Sequence, residues 1–173
     1  MQAVSITSAN IDTPQLRLLY ESAFPVEEQI PFTDIKRLMT IMPIDFTAYY
    51  NGLDFVGITI VLNRPDFNWG WYFAVKEDLR GRGYGQQILT MLKARYDGRP
   101  LIIDIESPRQ PDSHNPEQRR RRYEFYKRNG FSDTPTGKSF DGIDYTILLL
   151  GEGCFTQTDY DNIISDLQKV WKR

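Results

Sequence analysis

Hydrophobic and polar positions change period several times along the chain, and each change marks an element. Alternation around Val4 and Ile6 predicts a short first strand. Leu16, Leu18, Leu19 and Phe24 follow Thr13-Pro14, a cap and a proline suited to the first helical position, so a helix is expected there. Pro25 and Pro31 interrupt it, and Thr33-Asp34 opens a second short helix through Ile35, Leu38 and Met39. Residues 46–62 read as a hairpin of aromatic and β-branched flanks, with Asn51-Gly52 as the two-residue turn. Residues 69–75 form the next strand. Beyond Gly83 and Gly85, the positions Ile88, Leu89, Leu92 and Tyr96 fall at helical spacing until Gly98-Arg99-Pro100 stops them. A strand at 101–107, a polar loop at 108–116 and a helix at 117–129 closed by Gly130 come next. A last strand lies within 139–150, with a hairpin around Asp141-Gly142. Tyr160, Ile163, Ile164, Leu167, Val170 and Trp171 then define an amphipathic helix at about 159–172.

Antiparallel strands thus come first, followed by strand–helix–strand–helix–strand. The strands at 69–75 and 101–107, joined through one helix, should be parallel, because such a crossover is the usual connection of parallel neighbours. The expected fold is α/β (α+β): a mixed, mostly antiparallel central sheet with one parallel strand–helix–strand crossover and helices on both faces. With no repeat, low-complexity tract or linker, residues 1–173 read as a single domain.

Composition narrows the partners. Hydrophobic residues make up 40% of the 173 and charged residues 25%, which suits an ordinary folded domain with no need of a metal or disulfide staple. A net charge of −2 argues against a global electrostatic grip on nucleic acid. The single Cys154 allows no internal disulfide, the first ten residues lack signal-peptide character, and no apolar run is long enough for a membrane span. A cytoplasmic location is expected.

The most informative stretch is Val75-Lys76-Glu77-Asp78-Leu79-Arg80-Gly81-Arg82-Gly83-Tyr84-Gly85, leading from a strand into a helix. Without Cβ atoms, such a backbone can aim successive N–H groups at one point, beside the partial positive charge of a helix N-terminus. Arg80 and Arg82 add full charges. That is a pyrophosphate cradle; the bland reading is a tight strand-to-helix turn and nothing more. Arg80, Gly83 and Gly85 resemble the Arg/Gln-x-x-Gly-x-Gly/Ala motif of the GCN5-related N-acetyltransferase (GNAT) superfamily. Phe125-Tyr126-Lys127-Arg128-Asn129-Gly130-Phe131 resembles that family's second landmark, at matching order and spacing. The resemblance implies that residues 80–85 hold the diphosphate of acetyl-coenzyme A (acetyl-CoA). It also implies that the backbone of Phe73 and Val75 pairs with pantetheine, in a strand splayed from its parallel neighbour.

The implied reaction is attack of a neutral amine on a thioester, which needs a proton acceptor and a donor to the leaving thiolate. Tyr126 matches the family's general acid. Asp104 and Glu106, two apart in a strand, share a face. Glu106, nearer the C-terminal end, ranks first as base; Asp104 or an acid within 21–34 is the alternative, and Asp104 could equally be a structural acceptor. Where many members carry an Asn seven residues before the tyrosine and a small residue four before it, this chain has Arg119 and Arg122. The run Arg119-Arg120-Arg121-Arg122 could reach coenzyme A phosphates, or be mostly a solvated face.

The acceptor side is less defined. Glu21, Glu27, Glu28 and Asp34 make residues 21–34 acidic with no Lys or Arg, which suits a cationic small-molecule or peptide amine, or ordinary surface acids. Phe67, Trp69, Trp71 and Phe73 could line an apolar pocket or belong to the core. His114 and Cys154 have no partners at metal-ligand or catalytic spacing, so no metal is expected. Two rivals stay open: an acyl-CoA-binding sensor without catalysis, and a dinucleotide-binding fold suggested by Gly81-x-Gly83-x-Gly85 with Asp104 about twenty residues on. Leu167 and Trp171 could pack on their own sheet or meet a second copy in a homodimer.

Overall fold

Gly52 and Leu53, rather than Asn51 and Gly52, make the turn of the first hairpin in the computed structural model, which describes residues 1–171. Asn51 still pairs with Asp54, and only Gly52 takes a positive φ, at 62°. A glycine at the first turn position with positive φ matches the twist of the flanking strands. Leu53 is left fully in solvent.

The chain forms two compact units, Met1–Arg95 and Tyr96–Arg173. In the first, β1 (Gln2–Ile6), β2 (Ile44–Asn51), β3 (Asp54–Asn63) and β4 (Asn68–Val75) follow one another as antiparallel neighbours. Helices α1 (Pro14–Ala23) and α2 (Phe32–Ile41) bury Leu16, Ile35 and Leu38, and β3 buries Ile58, Ile60 and Leu62. Each such side chain contributes roughly 1.5–3 kcal/mol. Tyr20 and Tyr72 fasten the irregular segment joining α1 to α2. Ile30 N–H donates to the Tyr20 hydroxyl at 2.9 Å, and the Tyr72 hydroxyl donates to the Glu28 carbonyl at 2.7 Å.

Strand β4 carries a bulge. Tyr72 faces Ile60 and Gly70 faces Val61, so Trp71 is the extra residue. A bulge re-aims side chains and sharpens the local twist. Here the Trp71 ring stacks on Trp69 at 5.3 Å and on Tyr72 at 5.4 Å. Trp69 is core, whereas Trp71 keeps part of its surface in water.

In the second unit β5 (Leu101–Glu106), β7 (Ile143–Leu150) and β6 (Ser132–Phe140) are antiparallel in that spatial order. Asp141 and Gly142 make the β6–β7 turn, both at positive φ. Sequence patterning misses the first half of β6, since Ser132-Asp133-Thr134-Pro135-Thr136-Gly137 reads as loop. An edge strand tolerates Pro and Gly, and the ladder shifts between Asp133 and Gly137. Helix α4 spans Pro116–Arg128 and α5 spans Gln157–Trp171. The latter starts two residues earlier than its hydrophobic period suggests, because Thr156 and Asp159 form a reciprocal cap. Ile163 and Leu167 are buried, so the chain itself covers these two positions. Lys172, the end of the expected helix, and the Trp171 side chain lie outside the described residues. No helix among the described residues is long and apolar enough to cross a membrane.

Candidate active site

The glycine turn joins β4 to α3 (Tyr84–Arg95) through one 3₁₀ turn, Glu77–Leu79. Gly81 and Gly83 have φ of 76° and 81°, the left-handed region in which a Cβ is strained. Gly85 does not share it and sits within the first turn of α3. The first α3 bond at this end runs from Gln87 N–H to the Gly83 carbonyl at 3.1 Å. Among the described residues, the amides of Gly81 to Gln86 donate to nothing. A helix start leaves such donors unused, with partial positive charge at their end. A Cβ placed on Gly81 or Gly83 would meet no atom within 4 Å, so the space beside these two residues is open. Arg80 and Arg82 flank it and are exposed; the Arg80 Nε donates to the Val75 carbonyl at 3.3 Å. The Tyr84 hydroxyl is held by Asn51 Nδ2 at 3.1 Å. Unused backbone dipoles and two guanidinium groups are the chemistry that can accept an anion of several oxygens.

Phe73 and Val75 are half-buried and pair with Thr59 and Gly57 of β3. Gly57 carries no side chain for a local reason: a Cβ there would collide with the Ala74 carbonyl.

In the second unit, α4 brings Tyr126 to the sheet and ends immediately after it. Phe131 N–H bonds the Tyr126 carbonyl and Gly130 N–H the Lys127 carbonyl, both at 3.1 Å, with Gly130 at φ 92°. This is a Schellman closure, and its usual apolar contact is present: the Phe131 and Tyr126 rings meet edge to face at 5.2 Å. Gly130-Phe131 thus fixes the tyrosine backbone and ring together. Tyr126 is buried, and its hydroxyl makes no hydrogen bond to any described residue. Burial pushes this phenol up to about 12; the Arg122 charge works against that rise and Asp104 adds to it.

Glu106, ranked first as base, is buried at the end of β5 with both carboxylate oxygens engaged. Arg119 Nη2 donates to Oε1 at 2.9 Å; Arg122 Nη1 and Asn115 Nδ2 donate to Oε2 at 3.1 and 3.4 Å. Arg119 is itself only 2% exposed, and its other donors go to Asn115 Oδ1 and Gln110 Oε1, both at 2.7 Å. Asp104 pairs with Lys138, whose ammonium sits 4.4 Å from the centre of the Tyr145 ring.

The arginine run is therefore divided by helical phase. Arg120 and Arg121 face water and pair with Glu117, while Arg119 and Arg122 turn to Glu106. A signal for this was present: 119, 122 and 126 fall on one helical face, so an inward Tyr126 brings both arginines with it.

The acidic rim is partly offset in space. Glu21 lies 3.9 Å from Arg17, and Asp34 lies 3.8 Å from Arg37. His114 and Cys154 are exposed, and no group of three metal-ligating side chains exists among the described residues.

A family model for the acetyltransferase (GNAT) domain matches residues 45–133, just over half of the chain. The chain belongs to this family. A putative GNAT acetyltransferase from Bacteroides thetaiotaomicron superposes with a TM-score of 0.76 at 20% identity, covering 98% of this chain and 97% of that one. The ribosomal-protein-S18-alanine N-acetyltransferase from Escherichia coli gives 0.62 at 15%, covering 90% and 99%. A GNAT acetyltransferase from Elizabethkingia anophelis, solved with acetyl-CoA bound, gives 0.60 at 18%, covering 87% and 97%. No curated protein matches in sequence. The fold is accordingly mixed α/β, with seven strands, mostly antiparallel with one parallel pair, and five helices. It is a fold that serves acyl transfer from acetyl-CoA.

Proposed function

We propose that the protein is an N-acetyltransferase that moves the acetyl group of acetyl-CoA to a primary amine. The run of unbonded amides from Gly81 to Gln86 at the start of α3 carries this reading, together with family membership. Arg80, Gly81, Arg82, Gly83, Tyr84 and Gly85 hold the diphosphate, and the Phe73 and Val75 backbone guides the pantetheine arm. The amine attacks as the free base, a C–N bond forms, the C–S bond breaks, and Tyr126 donates its hydroxyl toward the departing sulfur. Its lack of any other partner suits that task.

Glu106 enters this scheme chiefly as the anchor of two guanidinium groups; to take the amine's proton it must loosen one of them. The same observation favours a second reading, an acyl-CoA sensor that binds without turnover. Exposed Glu27, with Glu28 nearby, gives the acceptor side an acidic character suited to a cationic amine.

Thiol release from acetyl-CoA across a panel of polyamines, amino-terminal peptides and lysine peptides decides between them. Release with one class establishes transfer. Heat protection by acetyl-CoA without release from any amine establishes the sensor. Protection by a nicotinamide dinucleotide in place of acetyl-CoA would overturn both.

A further inference from the structure

The guanidinium of Arg122 is only partly used. Nη1 donates to Glu106 Oε2 at 3.1 Å, while Nε and Nη2 meet no acceptor among the described residues. The side chain is 36% exposed, one helical turn before Tyr126 on the same face of α4. Glu106 cannot swing away to follow it, because its other oxygen is fixed by buried Arg119. Two guanidinium nitrogens with unused N–H donors therefore stand one helical turn from Tyr126, whose unengaged hydroxyl feels the Arg122 charge.

A thioester leaving group needs this. When the C–S bond breaks, its electron pair stays on sulfur as a thiolate. An ordinary thiol titrates at about 8.5, whereas burial pushes Tyr126 up to about 12. The phenol is the weaker acid, so it supports the sulfur by hydrogen bonding and keeps its proton through bond cleavage. The negative charge then needs a cation, and one already held in place by Glu106 needs no reorganisation when the charge appears.

We infer that Arg122 is a second catalytic residue, binding the coenzyme A sulfur through its free guanidinium donors and holding it as a thiolate beside the Tyr126 hydroxyl, with Glu106 as the residue that positions it. In the reaction, the amine nitrogen gains the acetyl group and loses its proton to solvent, and the sulfur leaves paired to Arg122. This rests on the acetyltransferase reading and concerns the leaving group, whatever the acceptor.

The test reads the thiol of bound coenzyme A by the ultraviolet absorbance of its thiolate across pH. In the unaltered protein the bound thiol should titrate about one unit below free coenzyme A. Arg122→Gln should remove the shift, and Arg122→Lys, which keeps the charge, should retain part of it. At pH 8 Arg122→Gln should weaken coenzyme A about threefold relative to desulfo-coenzyme A, which lacks the thiol, rising toward about tenfold at higher pH. A merely structural arginine would weaken both ligands alike. An unshifted thiol in the unaltered protein, or equal losses for the two ligands, overturns the role of Arg122. Should neither ligand bind the unaltered protein, the acetyltransferase reading itself falls.

Discussion

The glycine turn and the Glu106 cluster both handle charge, by opposite means. At the turn, partial charges on backbone amides are unbonded, and the space beside Gly81 and Gly83 is open. At Glu106, full charges are buried and hold one another, with Arg119 tying β5 to α4 and, through Gln110, to the β6–β7 turn. A site made of backbone can lose its ligand without losing the fold. A site made of buried charges cannot be altered without affecting both.

Removing Arg119 should break that contrast most severely. Arg119→Met strips one oxygen of a buried carboxylate of its partner, a change that costs about 3–5 kcal/mol. Urea denaturation should show the loss. Adding Glu106→Gln to Arg119→Met should recover much of it, because the uncompensated charge is then gone. Full stability in Arg119→Met alone would mean that Glu106 relies on Arg122 and Asn115.

Tyr126→Phe is expected to separate chemistry from folding. The ring keeps its contact with Phe131 and the Schellman closure is untouched. Turnover should fall on the order of a hundredfold, with acetyl-CoA affinity nearly unchanged. Full turnover would remove the phenol from the reaction.

The glycine turn can be probed with a control elsewhere in the chain. Gly83 and Gly98 have φ of 81° and 84°, and a Cβ on either meets nothing within 4 Å. Valine at each position should therefore incur the same backbone strain, about 1–2 kcal/mol. Only Gly83→Val places atoms in the hollow proposed for the diphosphate. Calorimetry with acetyl-CoA should show weaker binding for Gly83→Val alone; equal affinity in both variants would place the diphosphate elsewhere.

The turn is legible in the sequence because its cause is local: glycine is the residue that accepts the left-handed conformation, and Gly81 and Gly83 do adopt it. Gly130-Phe131 is legible on the same ground. The fate of the arginine run is not, since Arg119 and Arg122 are drawn inward by a carboxylate thirteen to sixteen residues away in sequence. Composition makes four consecutive arginines a solvated face, and only the phase set by Tyr126 argues otherwise. Strand β6 is hidden by its Pro and Gly for a related reason: its place at an edge is a fact of pairing, absent from the local pattern.

The smallest effect is expected at the outer face of α4, where the comparison can be sharpened by pH. Asp133 of β6 accepts from the Tyr123 hydroxyl at 3.0 and 3.1 Å and from Arg109 at 3.2 Å, with Lys127 at 3.5 Å. Partial burial alone would raise its pKa, but the Tyr123 hydrogen bond, Arg109 and Lys127 together bring it below the ordinary 3.8. A carboxyl that is more acidic folded than unfolded stabilises the fold at pH above 3.8 and loses that contribution as pH falls through its lowered folded value. About a third of the side chain is exposed, so solvent screening keeps the gain small. Asp133→Asn should accordingly be slightly less stable than the unaltered protein at neutral pH, with the difference closing below about pH 4. A difference at Asp133 that is flat from pH 7 to 3 would mean that shape, and not charge, holds α4 to β6 at this point.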